Sequence, residues 1–424
     1  VSKNEKQEKS WLAKLGPGLI TGAADDDPSG IATYSQAGAQ FGINMLWSMF
    51  FTYPLMVAIQ IISARIGRVS GHGLASNIRR HYPKSLLYGL VGLLLVANTI
   101  NIAADVSAMG NALKLVAGGP SHFYTVAFGL ISLLLEIFIP YSRYVRVLKW
   151  STLVLLAYVA TVFVIQIPWG EALTSTLLPQ FSWTGEYLTT IVAVFGTTIS
   201  PYMFFWQASE EVEDQRHNRQ EHALRSYPKL AQVNLRRIQI DTYVGMGFSN
   251  LVAYFIILTT AVTLHRHGIT DIQTSEQAAQ ALQPLAGNFA FFLFSLGIIG
   301  TGLLAIPVLA GSAAYAMAET FGWRSGLEQK PARAKRFYAI IAISTLIGVG
   351  LGFTSFNPIK ALYWSAVING VISIPIMFVM MMMVARKDIM GEFTISKRLS
   401  FFGWLATAVM AFAVVSMFWT QFKN

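Results

Sequence analysis

Gly22-Ala23-Ala24-Asp25-Asp26-Asp27-Pro28-Ser29-Gly30 interrupts an apolar run from Leu15 to Ala39 with three carboxylates, a proline and a glycine. A charge at the centre of a membrane span costs about 2.5–3.5 kcal/mol on insertion scales, so such residues face an interior or a water-filled path. Proline removes a backbone donor and disfavours helix in the residue before it. The pattern predicts a helix that stops near Ala24 and restarts near Pro28, leaving Asp27 at the gap. Asp followed by Pro is also how an ordinary helix begins, with Asp27 as N-cap and Pro28 in the first turn. A second interruption elsewhere in the chain would separate the two readings.

Of the 424 residues, 54% are hydrophobic and 12% charged, against about 25% charged in a soluble domain. The composition is that of an integral membrane protein. There is no cysteine, hence no disulfide and no thiolate metal ligand. Apolar segments of about 20 residues can span a bilayer. Eleven are readable, near 15–39, 44–66, 86–116, 122–141, 146–167, 186–211, 240–264, 285–318, 337–355, 359–384 and 399–420. The net charge of +10 gathers before the first span and after spans two, four, six, eight and ten, in residues such as Lys14, Arg79, Arg143, Arg216, Arg324 and Arg386. The positive-inside rule then puts the N-terminus in the cytoplasm and the C-terminus outside, with a bacterial inner membrane as the expected location. Charge explained by topology requires no nucleic acid. Residues 1–14 read as a cytoplasmic tail without a signal peptide, followed by one transmembrane domain over 15–424.

The second interruption is Gly196-Thr197-Thr198-Ile199-Ser200-Pro201-Tyr202-Met203, in the sixth span. Beyond it Met203, Gln207 and Glu210 share a helical face with Ser200, and Glu210, Glu211, Glu213 and Asp214 form an acidic end. That end reads either as an ion vestibule or as a salt-bridged helix terminus. In the third span Asn98, Asn101 and Asp105 lie on one face. The asparagines are expected to be interhelical hydrogen-bond glue, whereas Asp105 is open between that role and an ion or proton path. Glu136 in the fourth span is expected to pair with Arg143, Arg146 or Lys149. His72 and His81 read as solvated, Met380 to Met383 as packing, and Asn369-Gly370 as a polar, helix-weakening step in span ten.

Broken helices at the first span and five spans later make an inverted repeat, because five is odd. The repeats are expected over about 15–167 and 186–384, with an extra helix near 399–420. Such transporters bind their substrate near the midplane, between the two discontinuous helices. The half-helices end in unpaired carbonyls at the negative end of the helix dipole, and Asp27, with Asp26 beside it, makes the gap attractive to a cation. No acid–base pair or nucleophile constellation suggests an enzyme, and neither a cofactor nor an obligate protein partner is called for. The expected partners are a cation as substrate and the lipid bilayer. An amino-acid transporter and a simple channel are the rivals of another class; three aspartates at the gap argue against the first.

The stretch LGPGLITGAADDDPSGIATYSQAGAQFG resembles the first span of the natural-resistance-associated macrophage protein (NRAMP) divalent-metal transporters. The likeness continues through AADVSAMGNA, the sixth span, IDTYVGMGFSN and the tenth span. It implies an all-α, LeuT-like fold of about 11 transmembrane helices, five plus five plus one, with helices 1 and 6 broken. The family's first-span Asp-Pro-Gly-Asn falls on Asp27-Pro28-Ser29-Gly30, and its sixth-span Met-Pro-His on Ser200-Pro201-Tyr202. The resemblance implies Asp27 as a metal ligand, with the carbonyls of Ala24 and Thr197 at the helix ends. Asn369 lies near a family glutamine. Several ligands are replaced: the family's asparagine by Gly30, its methionine by Ser200, its histidines by Tyr202 and Gln207. Asp105 keeps a family acid, and Ala108 replaces the acid three residues on. A thioether favours transition metals, and Mg²⁺ takes oxygen ligands and keeps waters. The expectation is a metal set drawn from Asp27, Asp26, Ala24, Thr197, Ser200, Gln207 and Asn369, with Asp105, Tyr202 and Glu210 along an ion or proton path. The altered pattern resembles NRAMP-related magnesium transporters. It implies Mg²⁺ as substrate with Mn²⁺ tolerated, proton coupling being in doubt once both histidines are lost. A proton-coupled Mn²⁺/Fe²⁺ symporter is the alternative.

Overall fold

The computed structural model describes residues 21–22, 24–140, 143, 151–217, 222–354 and 357–423. The expected tail 1–14 and the basic residues Arg146 and Lys149 lie outside them. Every regular element among the described residues is helical.

The first break falls where the proline rule puts it. Residues 24 and 25 are helical, 26 and 27 are not, and α1 starts at once as Pro28–Phe41. The second separates α6 (Gly185–Thr198) from α7 (Pro201–His217), with Ile199 at φ −121° and ψ 58°. Between them run α2 (Leu46–Ser70), α3 (Lys84–Ala117), α4 (Ser121–Phe138) and α5 (Leu156–Val162). After them come α8 (Ala231–Thr263), α9 (Ala290–Phe321), α10 (Lys335–Leu351), α11 (Pro358–Ala385) and α12 (Lys397–Lys423).

Eight stretches among the described residues are long and apolar enough to cross a membrane on length and composition alone. Separating α1 from α2, which the short turn Gly42–Met45 joins, makes nine. Where the other two expected spans fall, the structure has α5 and the 17-residue α10, each too short to qualify.

The most apolar window of α6–α7 is 100% buried and that of α4 only 28%, so the broken helices are central and α4 peripheral. Phe123, Leu134, Phe138, Trp419 and Phe422 are exposed on the outer helices, as suits a surface facing acyl chains rather than water. Helix direction makes the inversion visible. The last turn of α1 and the first turn of α6 line the same cavity, so α1 runs from its break toward that cavity while α6 runs from it toward its own. α7 then leaves toward the opposite face. Met380, Met381 and Met383 are buried and Met382 is exposed, which is the packing role expected of that run.

Candidate metal site

Asp27 holds both roles that its sequence allowed. Its backbone is extended, and Oδ1 accepts from the Gly30 amide at 2.6 Å, capping α1. Oδ2 faces the other way, accepting from Asn101 Nδ2 at 3.1 Å and from the Tyr202 hydroxyl at 3.4 Å. The Tyr202 hydroxyl also donates to the Ala24 carbonyl at 3.3 Å. Span one, span three and the second half of span six therefore meet at one carboxylate oxygen.

The other two aspartates turn to α8. Gly22 lies directly on Gly245: a Cβ at Gly22 would fall 2.4 Å from the Gly245 carbonyl carbon and oxygen. One turn further along both helices, Ser249 Oγ donates to Asp25 Oδ2 at 2.5 Å and to Asp26 Oδ1 at 3.0 Å. Asp25 Oδ1 and Asp26 Oδ2 have no hydrogen-bond partner among the described residues. All three aspartates and Asp105 are buried, and none forms an ion pair among the described residues. Buried carboxylates without cationic side chains are costly as anions, so the gap favours positive charge.

Asn101 corrects the expectation made for it. Asn98 is glue, donating to the Leu309 carbonyl at 2.8 Å and to Ser312 Oγ at 2.7 Å. Asn101 instead bridges Asp27 to Asp105, whose Oδ2 it reaches at 3.4 Å. Asp105 thus belongs to the gap through one amide, and Asp105 Oδ1 and Asn101 Oδ1 remain without partners.

On the α6 side, Ser200 Oγ donates to the Gly196 carbonyl at 2.5 Å and the Thr197 carbonyl at 2.8 Å. The expected metal-binding hydroxyl is therefore engaged in capping the helix end, and the Thr197 carbonyl already accepts one bond. Thr197 Oγ1 is buried without a partner, as is Asn369 Oδ1 on α11. Asn369 is brought beside this end of α6 by its neighbour: a Cβ at Gly196 would fall 2.0 Å from the Ala366 carbonyl and 2.5 Å from the Gly370 amide. Gly30 is confined too, its Cβ position lying 3.2 Å from the Asp25 carbonyl and from Thr197 Cγ2. A longer side chain there would have to push both walls of the gap apart.

Two expected residues sit elsewhere. Gln207 Oε1 accepts from Thr21 Oγ1 at 2.5 Å, holding α7 to the half-helix before the first break, six residues upstream of Asp27 in the chain. Glu210 lies further along α7, where Tyr315 donates to it at 3.4 Å and also to Glu213. The acidic end is salt-bridged. Glu211 Oε2 lies 2.5 Å from Arg237 Nη2 and 3.7 Å from Arg68 Nη1, and Asp214 lies 2.9 Å from Arg68.

Among the described residues no three His, Cys, Asp or Glu side chains converge to hold a metal ion by themselves. The groups just described offer the gap carboxylate, amide, hydroxyl and carbonyl oxygen. Sequence reasoning passed over Asp25 and Ser249 as ligating groups. The available signal was spacing, since Gly245 and Ser249 repeat at one turn as Gly22 and Asp26 do.

A cavity of about 1260 Å³ opens at the far end of α1, lined by Gln36, Gln40, Glu186, Asp271 and Tyr363 among others. Gln36 is nine residues beyond Asp27, or ~14 Å along the helix.

A family model described as natural resistance-associated macrophage protein-like matches residues 18–420. The divalent metal cation transporter MntH of Klebsiella pneumoniae subsp. pneumoniae is 28% identical over 317 residues, 73% of each chain. MntH of Deinococcus radiodurans is 24% identical over 415 residues, 94% of this chain and 88% of that one. The crystal structure of an Eremococcus coleocola manganese transporter has a TM-score of 0.74 at 17% identity, covering 98% of this chain and 89% of that one. The transporter MhsT, crystallised with L-phenylalanine, has a TM-score of 0.60 at 12% identity, covering 95% and 98%.

Proposed function

The chain belongs to the natural resistance-associated macrophage protein family, and from that premise we propose that it carries Mg²⁺, with Mn²⁺ tolerated, across a membrane by alternating access. It is a multi-pass membrane transporter and not an enzyme. Its relatives are named for divalent metal cations and manganese, which supports a divalent ion as substrate.

The observation that carries the choice of ion is the donor chemistry of the gap. Asp27 Oδ2 and the Ala24 and Thr197 carbonyls are hard oxygen donors, and Ser200 occupies a position where sulfur would favour a softer metal. The absence of a three-residue His, Cys, Asp or Glu cluster among the described residues suits an ion that keeps part of its hydration shell, as Mg²⁺ does. Asp27 is read as the direct ligand, with Asp25, Asp26 and Asp105 supplying negative field. Ser200 acts by fixing the helix end, and Asn369 and Asn101 supply amide oxygens. No histidine lies at the gap to exchange a proton near neutral pH, so transport is read as proceeding without obligatory proton coupling. The N-terminal side, which carries the basic loops, is read as cytoplasmic.

Uptake into proteoliposomes with internal pH recorded tests the reading. Mg²⁺ and Mn²⁺ are both expected to enter without acidifying the lumen. Asp27→Ala is expected to abolish uptake and calorimetric metal binding while the purified protein keeps its helical circular dichroism. Mn²⁺ entry with acidification and exclusion of Mg²⁺ would replace this reading with a proton-coupled manganese symporter. Binding retained in Asp27→Ala would remove that carboxylate as ligand.

A further inference from the structure

Glu136 is the other buried acid that no ion pair explains. It is 3% exposed on α4, and neither carboxylate oxygen has a hydrogen-bond partner among the described residues. Of the partners expected for it, Arg143 is exposed and forms no ion pair with it, and Arg146 and Lys149 lie outside the described residues.

The surroundings of Glu136 form a narrow polar seam. α4 packs against α3, α9 and α10. It comes closest to α10 at Gly129, where an added Cβ would fall 2.2 Å from Val349 Cγ2. Ser132 and Glu136 follow Gly129 at three and seven residues, on the same stripe of α4. Thr345 precedes Val349 by four on the facing stripe of α10. The hydroxyls of Ser132 and Thr345 are both buried and both unpartnered. By contrast, Thr125, earlier on α4, and Thr161 and Thr176 elsewhere each donate to the carbonyl four residues back. Three orphaned oxygen-bearing side chains thus line one helix junction, apart from the metal gap.

Among the described residues no charge balances Glu136 from α3, α9 or α10. On α3, Asp105 faces the gap, Lys84 and Lys114 stand at the helix ends, and Tyr88 is exposed. On α10, Lys335 and Arg336 are exposed, and Tyr338 donates to the Leu327 and Gln329 carbonyls. On α9, Tyr315 and Glu319 are bonded to α7 and to the segment after α2. His122 is at the opposite end of α4, against Phe353. A buried carboxylate with no charged partner among the described residues is costly as an anion, and a bound proton removes that cost. Glu136 is also two residues from the end of α4, which gives its proton a short way out on the face opposite the large cavity.

We propose that Glu136 is a proton-binding site separate from the metal path, and that its protonation, by holding α4 against α3 and α10, sets the pH dependence of transport. α3 carries Asn101 and Asp105 into the gap on one face and meets α10 on another, where Ile102 and Ala103 crowd Gly348. Ionising Glu136 would draw water into the seam behind the wall that holds the ion. This does not make protons a co-substrate: one proton can bind and leave without crossing. The transport half rests on the function proposed above, the proton half does not.

The test combines infrared spectroscopy of the purified protein with uptake by proteoliposomes, for wild type, Glu136→Gln and Glu136→Asp. The carbonyl-stretch band of protonated carboxylic acids is expected to lose intensity in Glu136→Gln. Uptake by wild type is expected to fall as pH rises through the titration of this site, by up to ~10-fold per unit for a one-proton step. Glu136→Gln, which mimics the neutral acid, should hold the wild-type acid-side rate across that range, and Glu136→Asp should keep a pH-dependent limb. An unchanged infrared band, or a wild-type pH profile in Glu136→Gln, overturns the proposal. If no divalent ion enters under any condition, the functional reading fails instead and the infrared band alone decides whether Glu136 holds a proton.

Discussion

The two ends of the central path are closed by different chemistry. Toward the cavity, the layer over the gap is made of neutral groups. Gln36 accepts from the Ile272 amide at 2.9 Å and donates to the Thr270 carbonyl at 3.3 Å, and Tyr363 and Thr190 share a hydroxyl contact of 2.8 Å. At the other end α2, α7 and α8 are tied by charge. Arg68 is buried and bonded to Asp214 at 2.9 Å and to Asn234 at 2.9 Å, and buried Glu211 lies between Arg68 and Arg237. A neutral hydrogen bond contributes about 0.5–1.5 kcal/mol net and water can replace it. Removing one member of a buried charge network costs about 3–5 kcal/mol, because its partners stay buried and uncompensated. The cavity side is thus shut weakly and the charged side firmly, which matches a molecule whose large opening lies on the cavity side.

The greatest expected effect comes from breaking the charged end. Glu211→Ala leaves Arg68 and Arg237 sharing Asp214, with Asp241 4.0 Å from Arg237 as a further carboxylate. A penalty of about 3–5 kcal/mol is close to the ~5.5 kcal/mol that carries a two-state equilibrium from 1:99 to 99:1. The charged end should therefore open in a large share of molecules. The chain has no cysteine, so a single Thr21→Cys reporter, placed where Thr21 meets Gln207, gives a clean readout. Maleimide labelling from the charged side is expected to rise by at least tenfold in Glu211→Ala. Labelling that stays at the background level would mean that the network is not what keeps this end closed.

A smaller effect is expected at the neutral end. Gln36→Ala removes three hydrogen bonds, to Gln40, Thr270 and Ile272, but water from the cavity can satisfy the Ile272 amide, so the loss is about 1–2 kcal/mol. A cysteine introduced by Ser29→Cys, beneath this layer and against the Leu362 carbonyl, should be labelled a few-fold faster from the cavity side. A change as large as that of Glu211→Ala would erase the contrast between the two ends.

Much of this architecture was legible in the chain. Hydropathy marks the spans because lipid demands long apolar helices, and proline with small polar residues marks both breaks because each disrupts the local hydrogen-bond ladder. Asp27 could be singled out, and its two competing readings proved compatible: one carboxylate oxygen caps α1 while the other faces the gap. Partnerships across the fold were not legible. Ser249 meets Asp25 across 224 positions, and nothing local to Asn98 or Asn101 says that the first binds α9 and the second binds Asp27. Ser200 invited a ligand role by its place in the motif, yet its hydroxyl turns back on its own helix end. Glu136 suggested an ion pair because basic residues follow it in the chain, and among the described residues it has none.

The smallest effect should come from a charge pair on the firmly closed side that is not buried. Asp388 is chelated by Arg386 at 2.5 and 2.9 Å and lies 3.3 Å from His81. The Arg386 hydrogen bonds pull its carboxyl down to about 2. A carboxyl lowered in the folded state adds stability that is present above its unfolded value, near 3.9, and lost as pH falls through the folded one. Whatever this pair adds is therefore constant from about pH 5 upward and declines only below about pH 4. Both side chains are solvated, and exposed ion pairs contribute little once water and salt screen them. Asp388→Asn should leave the melting temperature at neutral pH and the Thr21→Cys labelling unchanged. Any difference from wild type in melting should shrink as pH drops through the acidic window. If Asp388→Asn opened the charged side as Glu211→Ala is expected to, the number of ion pairs would matter more than their burial. The opposite outcome would locate the closure in the dry contacts of Glu211 with Arg68 and Arg237, where no water can take the place of the lost partner.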